Sequence, residues 1–162
     1  MSLPFVAVLM GSDSDLPVME STLDVLKTLA IPFEVRITSA HRTPEATAFY
    51  VKETDKRGCG VFIAAAGLAA HLAGAVAANT LKPVIGVPMA GGPLNGMDAL
   101  LSTVQMPGGV PVACVAIGKA GAKNAAYLAA QILSLSDKNL AKRVAADRQA
   151  MAQSILDKAN SL

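Results

Sequence analysis

Apolar residues gather in five short runs along the chain, and polar or glycine-rich stretches separate these runs. Most of the runs are almost continuously apolar, which is typical of strands that are buried on both faces of a parallel sheet. The runs are FVAVLM (5–10), FEVRITS (33–39), GVFIAAA (60–66), VIGVP (84–88) and VACVAIG (112–118). The pattern therefore predicts five strands.

Between the runs, apolar residues recur at the helical spacing. Residues 16–30 have one apolar face, approximated by Val18, Leu23, Leu26 and Leu29. A second helix is predicted over residues 44–58, because Thr43 followed by Pro44 is a common helix start. Strands that alternate with helices predict an α/β fold, here a flavodoxin-like three-layer sandwich with a five-stranded parallel sheet. Ligands bind such sheets beyond the carboxyl ends of the strands, so we expect a site in the loops that follow them.

A further amphipathic pattern follows the fifth strand and its helix. It covers residues 137–160, and its apolar positions are Leu140, Val144, Met151, Ile155 and Leu156. No sixth strand follows to which this helix leads. We expect this extra C-terminal helix to pack on a neighbouring subunit rather than on its own domain, and residues 1–162 to form a single domain.

The composition favours an oligomer. Hydrophobic residues make up 52% of the 162 residues and charged residues only 16%, which is a high apolar load for a small soluble monomer. Interfaces between subunits would bury the excess. The formal net charge of +2, from 14 basic and 12 acidic residues, gives no argument for nucleic acid or an anionic membrane as a partner.

Several features predict a cytoplasmic protein. The apolar stretch at residues 58–78 consists mostly of alanine and glycine and is broken by Gly67 and His71, so it predicts a strand, a turn and a helix rather than a membrane span. Cys59 and Cys114 lie in apolar runs without CxxC spacing, which predicts buried, reduced thiols and no metal site. The N-terminus shows no targeting signal.

The loop GSDSD, after the first strand, is suited to a phosphorylated sugar. Gly11 permits a tight turn, and the hydroxyls of Ser12 and Ser14 would join helix N-terminal amides in holding a phosphate. Asp15 would accept hydrogen bonds from sugar hydroxyls. The alternative is that Asp15 caps the helix and the serines only form the turn.

The loop SAHRTP, after the second strand, combines a titratable ring with a fixed cation. A histidine gains or loses a proton near neutral pH, which makes His41 the candidate acid and base. Arg42 stays charged and is suited to an anion. A solvated loop that begins a helix is the simpler interpretation of the same residues.

The third loop, AGLAAHLAG, carries a weaker signal. A glycine turn at Gly67 exposes backbone amides that suit a carboxylate. His71 is more simply interpreted as a satisfied histidine among small helix residues, where it supports a pocket wall. The clusters at residues 91–93 and 106–109 predict turns, with ligand-covering or subunit-contact roles as the alternative.

Five segments, in order and across nearly the whole chain, resemble one enzyme family. They are GSDSD, SAHRTP, AAHLAG, LLSTVQMPGGVPVA and IGKAGAKNAAYLAAQIL. The family is the PurE family, the N5-carboxyaminoimidazole ribonucleotide mutases of bacterial purine synthesis. SAHRTP and VQMPGGVPV are its most specific motifs here. The resemblance implies a cytoplasmic homo-octamer that acts without ATP, metal or biotin.

The resemblance also implies a reaction and roles for matching residues. The carboxyl group on the exocyclic amine of the substrate moves to ring carbon C4, which gives 4-carboxy-5-aminoimidazole ribonucleotide. His41 matches the acid/base, which protonates the carbamate nitrogen first and removes the C4 proton last, with CO2 trapped in between. The matching ribonucleotide cradle is Ser12, Asp15, Ser39 and Arg42.

The implied pocket for the carboxylate and CO2 lies in the third loop. Its residues are Ala66, Gly67, Leu68 and His71. The family commonly has glycine where this chain has Ala65 and Leu68, and proline where it has Ala73. Leu68 is the departure that matters most, because a glycine there would let the substrate approach the backbone closely.

Two other functions remain as alternatives. A related carboxylase joins free CO2 directly to aminoimidazole ribonucleotide, but it typically has Ser-Ala-His-Lys and a Gly-Arg-Ser-Asn third loop, where this chain has Arg42 and Ala69-Ala70-His71. A non-catalytic phospho-receiver or flavin-binding module would use the same fold. The third strand ends without the aspartate of a receiver, and the chain has no tryptophan to stack on a flavin.

Overall fold

The computed structural model describes residues 4–161, and within them five parallel strands form one sheet. The strands are β1 (Phe5–Met10), β2 (Phe33–Ile37), β3 (Cys59–Ala66), β4 (Val84–Pro88) and β5 (Ala113–Cys114). Their order across the sheet is β2-β1-β3-β4-β5, and every neighbouring pair is parallel. The predicted flavodoxin-like α/β fold is confirmed.

Helices cover both faces of this sheet. They are α1 (Leu16–Thr28), α2 (Pro44–Lys56), α3 (Leu72–Ala77), α4 (Met97–Val104), α5 (Lys119–Ser134) and α6 (Lys138–Ala159). Successive side chains of a strand point to opposite faces, so Val6 and Val8 of β1 pack in one core with residues of α1 and α5. Ala7 and Leu9 pack in a second core with Val51 of α2. One core lies on each face of the sheet, between the sheet and the helices that cover that face.

The strand order fixes the edge of the sheet where a ligand is expected. The chain passes from β1 to one neighbour, β2, and returns to pair β3 on the other side of β1. Helix α1 packs in the first core, whereas α3 packs in the second, so the loops after β1 and β3 diverge to opposite faces. This divergence opens a crevice at the carboxyl ends of the two strands.

The last strand is much shorter than predicted. The apolar pattern covers residues 112–118, but only Ala113 and Cys114 pair with β4. At this edge of the sheet β5 has a single neighbour, and beyond Cys114 the contact continues as two isolated hydrogen bonds, from Val115 N to the carbonyl of Gly86 and from Gly118 N to that of Pro88. The chain therefore follows β4 to its end without forming a regular ladder.

The two cysteines are free thiols that differ in burial. Cys59 at the start of β3 is buried, and this burial raises its pKa to about 11. Cys114 on the short edge strand is only partly buried, so the prediction of burial is correct for Cys59 and wrong for Cys114. Burial also raises the pKa of Cys114. A thiol with a raised pKa is a poor nucleophile at neutral pH.

Helix α6 packs on its own domain through its first half. Leu140 is fully buried, and Arg143 Nε donates to the carbonyl of Leu29 at 2.8 Å. The hydroxyl of Tyr127 in α5 donates to Asp147 at 2.8 Å. Farther along the helix, three apolar side chains are exposed on the isolated chain: Met151, Ile155 and Leu156. Packing on a neighbouring subunit thus stays a prediction for the second half of α6.

No helix within residues 4–161 has both the length and the hydropathy required to span a membrane. The stretch at residues 58–78 forms the buried strand β3, a loop and the short helix α3. Its apolar character comes from burial within the domain.

Candidate active site

A cleft of about 680 Å³ lies at the carboxyl ends of the strands, and we call it the carboxyl-edge cleft. Four loops line it, each from the end of a different strand: residues 11–15 after β1, 39–42 after β2, 66–71 after β3 and 89–92 after β4. The loop after β5 does not line it, although the sequence pattern suggested that it would. The site therefore lies around the divergence between β1 and β3.

The two serines of the first loop, Ser12 and Ser14, form hydrogen bonds with each other. Ser12 caps a short 3-10 helix at Asp13–Asp15, where its Oγ accepts from Ser14 N at 3.2 Å and from Ser14 Oγ at 2.8 Å. Gly11 N donates to the carbonyl of Ala65, which ties the loop to β3. The serine hydroxyls thus form the turn and line the cleft at the same time.

Asp15 stands directly before α1 but does not cap it, because its side chain makes no capping hydrogen bond. The residue lines the cleft and is partly buried. Burial raises the pKa of the Asp15 carboxyl above its ordinary value, and the nearby charge of Asp13 adds to this rise, while a hydrogen bond from the Ser12 backbone opposes it. An acceptor that is partly removed from water is suited to ligand hydroxyls.

A threonine cluster holds the second loop in place. Thr38 and Thr47 are both buried, and their hydroxyl oxygens lie 2.7 Å apart. The Thr47 hydroxyl also reaches the carbonyls of Ser39, at 3.3 Å, and Thr43, at 3.0 Å. Ser39 Oγ accepts from Arg42 N at 3.1 Å. The turn at residues 39–42 is therefore fixed by side chains that lie beneath it.

The two histidines of the chain meet across the cleft. His41 Nε2 lies 2.8 Å from His71 Nδ1, and the two rings are nearly perpendicular, with an interplanar angle of 82°. One nitrogen donates and the other accepts, as the tautomers dictate. The interpretation of His71 as a histidine packed among small helix residues is wrong, because it lies exposed in the cleft just before α3.

Arg42 extends from the same turn with its charge available. It is exposed and lines the cleft. None of the salt bridges formed within residues 4–161 includes its guanidinium. A free guanidinium beside hydroxyl groups is suited to bind an anionic group of a ligand.

The third loop is anchored at both of its ends. Met89 N donates to the carbonyl of Ala66 at 2.9 Å, and Ala70 N donates to Ser102 Oγ of α4 at 3.0 Å. Between these anchors Gly67 and Leu68 line the cleft. Sequence reasoning did not single out Met89, which lines this wall directly after β4, since an apolar residue beside a strand end carries no signal beyond burial.

A family model described as AIR carboxylase matches residues 5–154. The chain belongs to the AIR carboxylase family. The match covers all five strands and the loops of the carboxyl-edge cleft. Membership of the PurE family, predicted from the five motifs, is confirmed.

Curated relatives in this family are similar to the chain over nearly their whole length. The N5-carboxyaminoimidazole ribonucleotide mutase of Bacillus subtilis is 51% identical over 159 residues, which cover 98% of each protein. The enzyme of the same name from Escherichia coli K12 is 47% identical over 152 residues, covering 94% of this chain and 90% of that protein.

A solved structure from this family shares the fold. The crystal structure of Treponema denticola PurE is similar with a TM-score of 0.89 and 35% identity, and the match covers 98% of each chain. The likeness therefore extends over all five strands and the loops that follow them.

A second, larger cleft lies at the opposite edge of the sheet, and we call it the amino-edge cleft. Its volume is about 840 Å³, and it is lined by the ends of α2 and α3 and by the segments that precede β4 and β5. Gly109 of the MPGGVP segment lies here and not in the carboxyl-edge cleft. In neither cleft do the described residues group three or more histidine, cysteine or acidic side chains around a metal position.

Proposed function

We propose that this protein converts N5-carboxyaminoimidazole ribonucleotide to 4-carboxy-5-aminoimidazole ribonucleotide. The observation that carries the proposal is the pair of histidines in the carboxyl-edge cleft, with His41 Nε2 at 2.8 Å from His71 Nδ1. The guanidinium of Arg42 and the partly buried carboxyl of Asp15 line the same cleft, in a member of the AIR carboxylase family. The family supplies the reaction, and the cleft supplies groups that suit it.

In this proposal the first two loops bind the ribonucleotide. The Arg42 guanidinium and the hydroxyls of Ser12 and Ser39 hold the phosphate, because charged donors and hydroxyls around a helix start suit that anion. Asp15 accepts from the ribose hydroxyls. These residues lie in the loops that follow β1 and β2. The two strands are neighbours in the sheet, so one bound nucleotide can contact both loops.

His41 carries the proton in both halves of the reaction. It first donates to the carbamate nitrogen; the bond from nitrogen to the carboxyl carbon then breaks, its electron pair stays on nitrogen, and CO2 is released. Ring carbon C4 attacks this CO2 and forms the new carbon–carbon bond. His41 finally takes the proton from C4, so no proton is gained or lost overall. His71 orients the His41 ring through their hydrogen bond.

The released CO2 stays in the pocket of the third loop. Its residues are Ala66, Gly67, Leu68 and His71, and all four line the cleft. Small and apolar side chains give an uncharged molecule a place to lie beside the histidine pair. Keeping CO2 beside C4 makes the second step effectively intramolecular.

The decisive assay compares two substrates without ATP. Freshly made N5-carboxyaminoimidazole ribonucleotide is expected to give product rapidly, while aminoimidazole ribonucleotide at low bicarbonate is expected to give little. Equal or faster product from aminoimidazole ribonucleotide and CO2 would instead identify a direct carboxylase. No product from either substrate would refute the catalytic proposal.

We also propose that the protein works in the cytoplasm as a homo-octamer. Large apolar side chains are exposed on the single chain, among them Phe49 at 69%, Leu135 at 89% and Ile155 at 64%. Subunit contacts would cover such surfaces. Light scattering coupled to gel filtration measures the mass, and we expect Ile155→Lys in the exposed half of α6 to lower it. A monomeric wild-type protein would contradict the proposed assembly.

A further inference from the structure

Ser102 of α4 holds the residue that directly precedes His71. Ala70 N donates to Ser102 Oγ at 3.0 Å, and Ala70 is only 2% exposed. A buried amide that loses its partner costs free energy, because water does not reach it freely. The Ser102 hydroxyl therefore stabilises the chain before His71 in the position that the structure shows.

The hydrogen-bond directions at Ser102 agree with this role. A serine hydroxyl has one hydrogen to donate and two lone pairs that accept. The hydrogen is used inside α4, where Ser102 Oγ donates to the carbonyl of Asp98 at 2.8 Å, so the lone pairs are left for Ala70 N. Serine is a weaker helix former than alanine, so the contact with Ala70, and not helix propensity, explains a serine at this position.

His71 is held from both sides along the chain. Its carbonyl accepts from Ala75 N at 2.9 Å, which ties it to α3. Ala70 is held by Ser102, and its carbonyl makes a longer contact of 3.5 Å with Thr103 Oγ of the same helix. Helix α4 thus sets where the ring of His71 lies relative to the other histidine.

The turn that carries His41 has a different support. Hydroxyls of Thr43 and Thr47, which lie at the start of α2 and in its first turns, hold that turn. The two histidine rings therefore meet at 2.8 Å from separately supported loops. A shift of either support changes the distance and the angle between the rings.

We propose that Ser102 is a positioning residue for proton transfer: through Ala70 it keeps His71 Nδ1 at hydrogen-bond distance from His41 Nε2. This inference rests on the proposed function, in which His41 carries the proton and His71 orients its ring. Ser102 lies outside the set of residues that line the carboxyl-edge cleft, so it acts through the third loop and not by contact with the substrate.

Nitrogen NMR of the two rings tests this geometry without substrate. The chain contains two histidines, so protein without an affinity tag, labelled with nitrogen-15 histidine, gives ring signals from His41 and His71 alone. A hydrogen bond between two neutral rings makes one nitrogen the donor and the other the acceptor, which fixes the tautomer of each ring. We expect one tautomer per ring in the wild type and averaged tautomers in Ser102→Ala.

Steady-state kinetics test the effect on the reaction. Ser102→Ala removes the acceptor for Ala70 N, and kcat should fall roughly tenfold, because a misplaced acid/base transfers its proton less efficiently. The KM for N5-carboxyaminoimidazole ribonucleotide should stay within about twofold of the wild-type value, since the proposed ribonucleotide cradle lies in the loops after β1 and β2.

Two further variants separate positioning from stability. Ser102→Thr keeps the hydroxyl and is expected to retain most of kcat and the single tautomers. Thr22→Val is the matched control, because Thr22 is fully buried in α1 and its hydroxyl donates to the carbonyl of Ala122 at 2.7 Å, away from the cleft. Loss of this buried hydrogen bond should lower the melting temperature while kcat stays near the wild-type value.

A double variant tests whether Ser102 acts through His71. In a His71→Asn background the ring that Ser102 positions is absent, so adding Ser102→Ala should change kcat by less than about twofold. A further fall of about tenfold in that background would show that the two substitutions are independent and would overturn the inference.

The outcomes separate the inference from the function on which it rests. Absence of product from the wild type would refute the proposed function, while the NMR signals still report whether Ser102 holds the pair. If the wild type makes product and Ser102→Ala keeps the wild-type kcat, the inference fails while the function stands. Averaged tautomers in the wild type would overturn it as well. So would an equal loss of kcat in Thr22→Val, since lost stability would then explain both variants.

Discussion

The two clefts lie at opposite edges of one sheet, and they differ in what their polar residues do. In the amino-edge cleft two polar residues pair with one carboxylate: Thr80 donates to Asp55 at 2.8 Å, and Lys82 Nζ lies 4.0 Å from the same group. In the carboxyl-edge cleft the guanidinium of Arg42 has no carboxylate partner among residues 4–161. The histidine pair faces the open cleft beside it.

The comparison teaches that volume does not identify the site. The amino-edge cleft is larger, at about 840 Å³ against about 680 Å³. It is lined, however, by helix ends and by the segments that precede β4 and β5. The carboxyl-edge cleft is lined by the loops that follow four strands. Parallel strands all end at the same edge, so short loops there bring distant parts of the sequence together. The histidine pair, together with Arg42 and Asp15, distinguishes the carboxyl-edge cleft.

The largest effect is expected at His41. His41→Asn keeps a polar side chain but removes the group that carries the proton, so turnover should fall on the order of a hundredfold or more. Steady-state rates with N5-carboxyaminoimidazole ribonucleotide measure the fall in turnover, and gel filtration checks that the variant still assembles as the wild type does. Lys82→Ala in the amino-edge cleft is the control and should retain nearly full turnover.

The assignment of catalysis to the carboxyl-edge cleft would be refuted if His41→Asn and Lys82→Ala had the same effect on turnover. Near-normal turnover of His41→Asn would remove His41 from the chemistry. A large loss in Lys82→Ala, with folding and assembly intact, would instead give the amino-edge cleft a part in catalysis.

The next effect is expected in binding. Arg42→Leu removes a charged donor while the histidine pair stays, so KM should rise roughly ten- to a hundredfold, with a smaller change in kcat. The matched control is Lys52→Leu, which removes a cation that lines the amino-edge cleft. If both substitutions raise KM equally, general electrostatic attraction and not a specific contact explains the result. Arg42 would then not be a phosphate-binding residue.

Much of the fold could be predicted from the sequence, because each strand buried on both faces carries an apolar run. The two edge strands are exceptions: β2 is largely exposed and ends at Ile37, and in the run of residues 112–118 only Ala113 and Cys114 of β5 pair. Apolarity reports burial and not pairing. The loops that surround the site followed from the alternation of strands and helices.

The internal geometry of the site could not be predicted in the same way. His41 and His71 are thirty residues apart, and their contact depends on how the loops after β2 and β3 curve above the sheet. Nothing in the local sequence of His71 signals a partner, which explains why it was interpreted as packed among small residues. Leu68, in the loop between the anchors at Ala66 and Ala70, has a left-handed φ of 57°, which its local sequence does not predict either.

A smaller effect is expected on stability when the support of the second loop is removed. Thr47→Val keeps the shape of a fully buried side chain but removes its 2.7 Å hydrogen bond to Thr38 and its contacts with the carbonyls of Ser39 and Thr43. The Thr38 hydroxyl keeps Thr43 as a partner at 3.3 Å, so the free energy of unfolding should fall by about 1–2 kcal/mol, in the range of lost buried hydrogen bonds. Chemical denaturation measures the change.

Thr80→Val is the matched variant at the other edge. It loses the 2.8 Å hydrogen bond to Asp55 in a partly exposed setting, so water replaces the lost partner and the loss should stay below that of Thr47→Val. A larger loss in Thr80→Val would mean that the amino-edge cleft, and not the turn at residues 39–42, is the more strongly constrained region.

The smallest effect is expected at Asp15, where function and stability oppose each other. Burial raises the pKa of its carboxyl above the ordinary value of 3.8, so the folded state binds a proton more readily than the unfolded state does. Stability due to this group is therefore greatest in acid and falls as pH rises through the raised pKa. At neutral pH the ionised Asp15 costs stability, and Asp15→Asn should raise the melting temperature by no more than about 2 °C, since solvent screens a half-exposed group.

The sign of that change is the test. The advantage of Asp15→Asn should disappear when the pH falls below the ordinary value of 3.8, because the wild-type carboxyl is then neutral in both states. Asp55→Asn, which breaks an ion pair in the amino-edge cleft, should give no stabilisation at neutral pH. A lower melting temperature for Asp15→Asn at neutral pH would mean that the carboxylate holds the first loop together. A higher one, combined with weaker binding of the ribonucleotide, would mean that the carboxylate is kept for its ligand despite its cost to the fold.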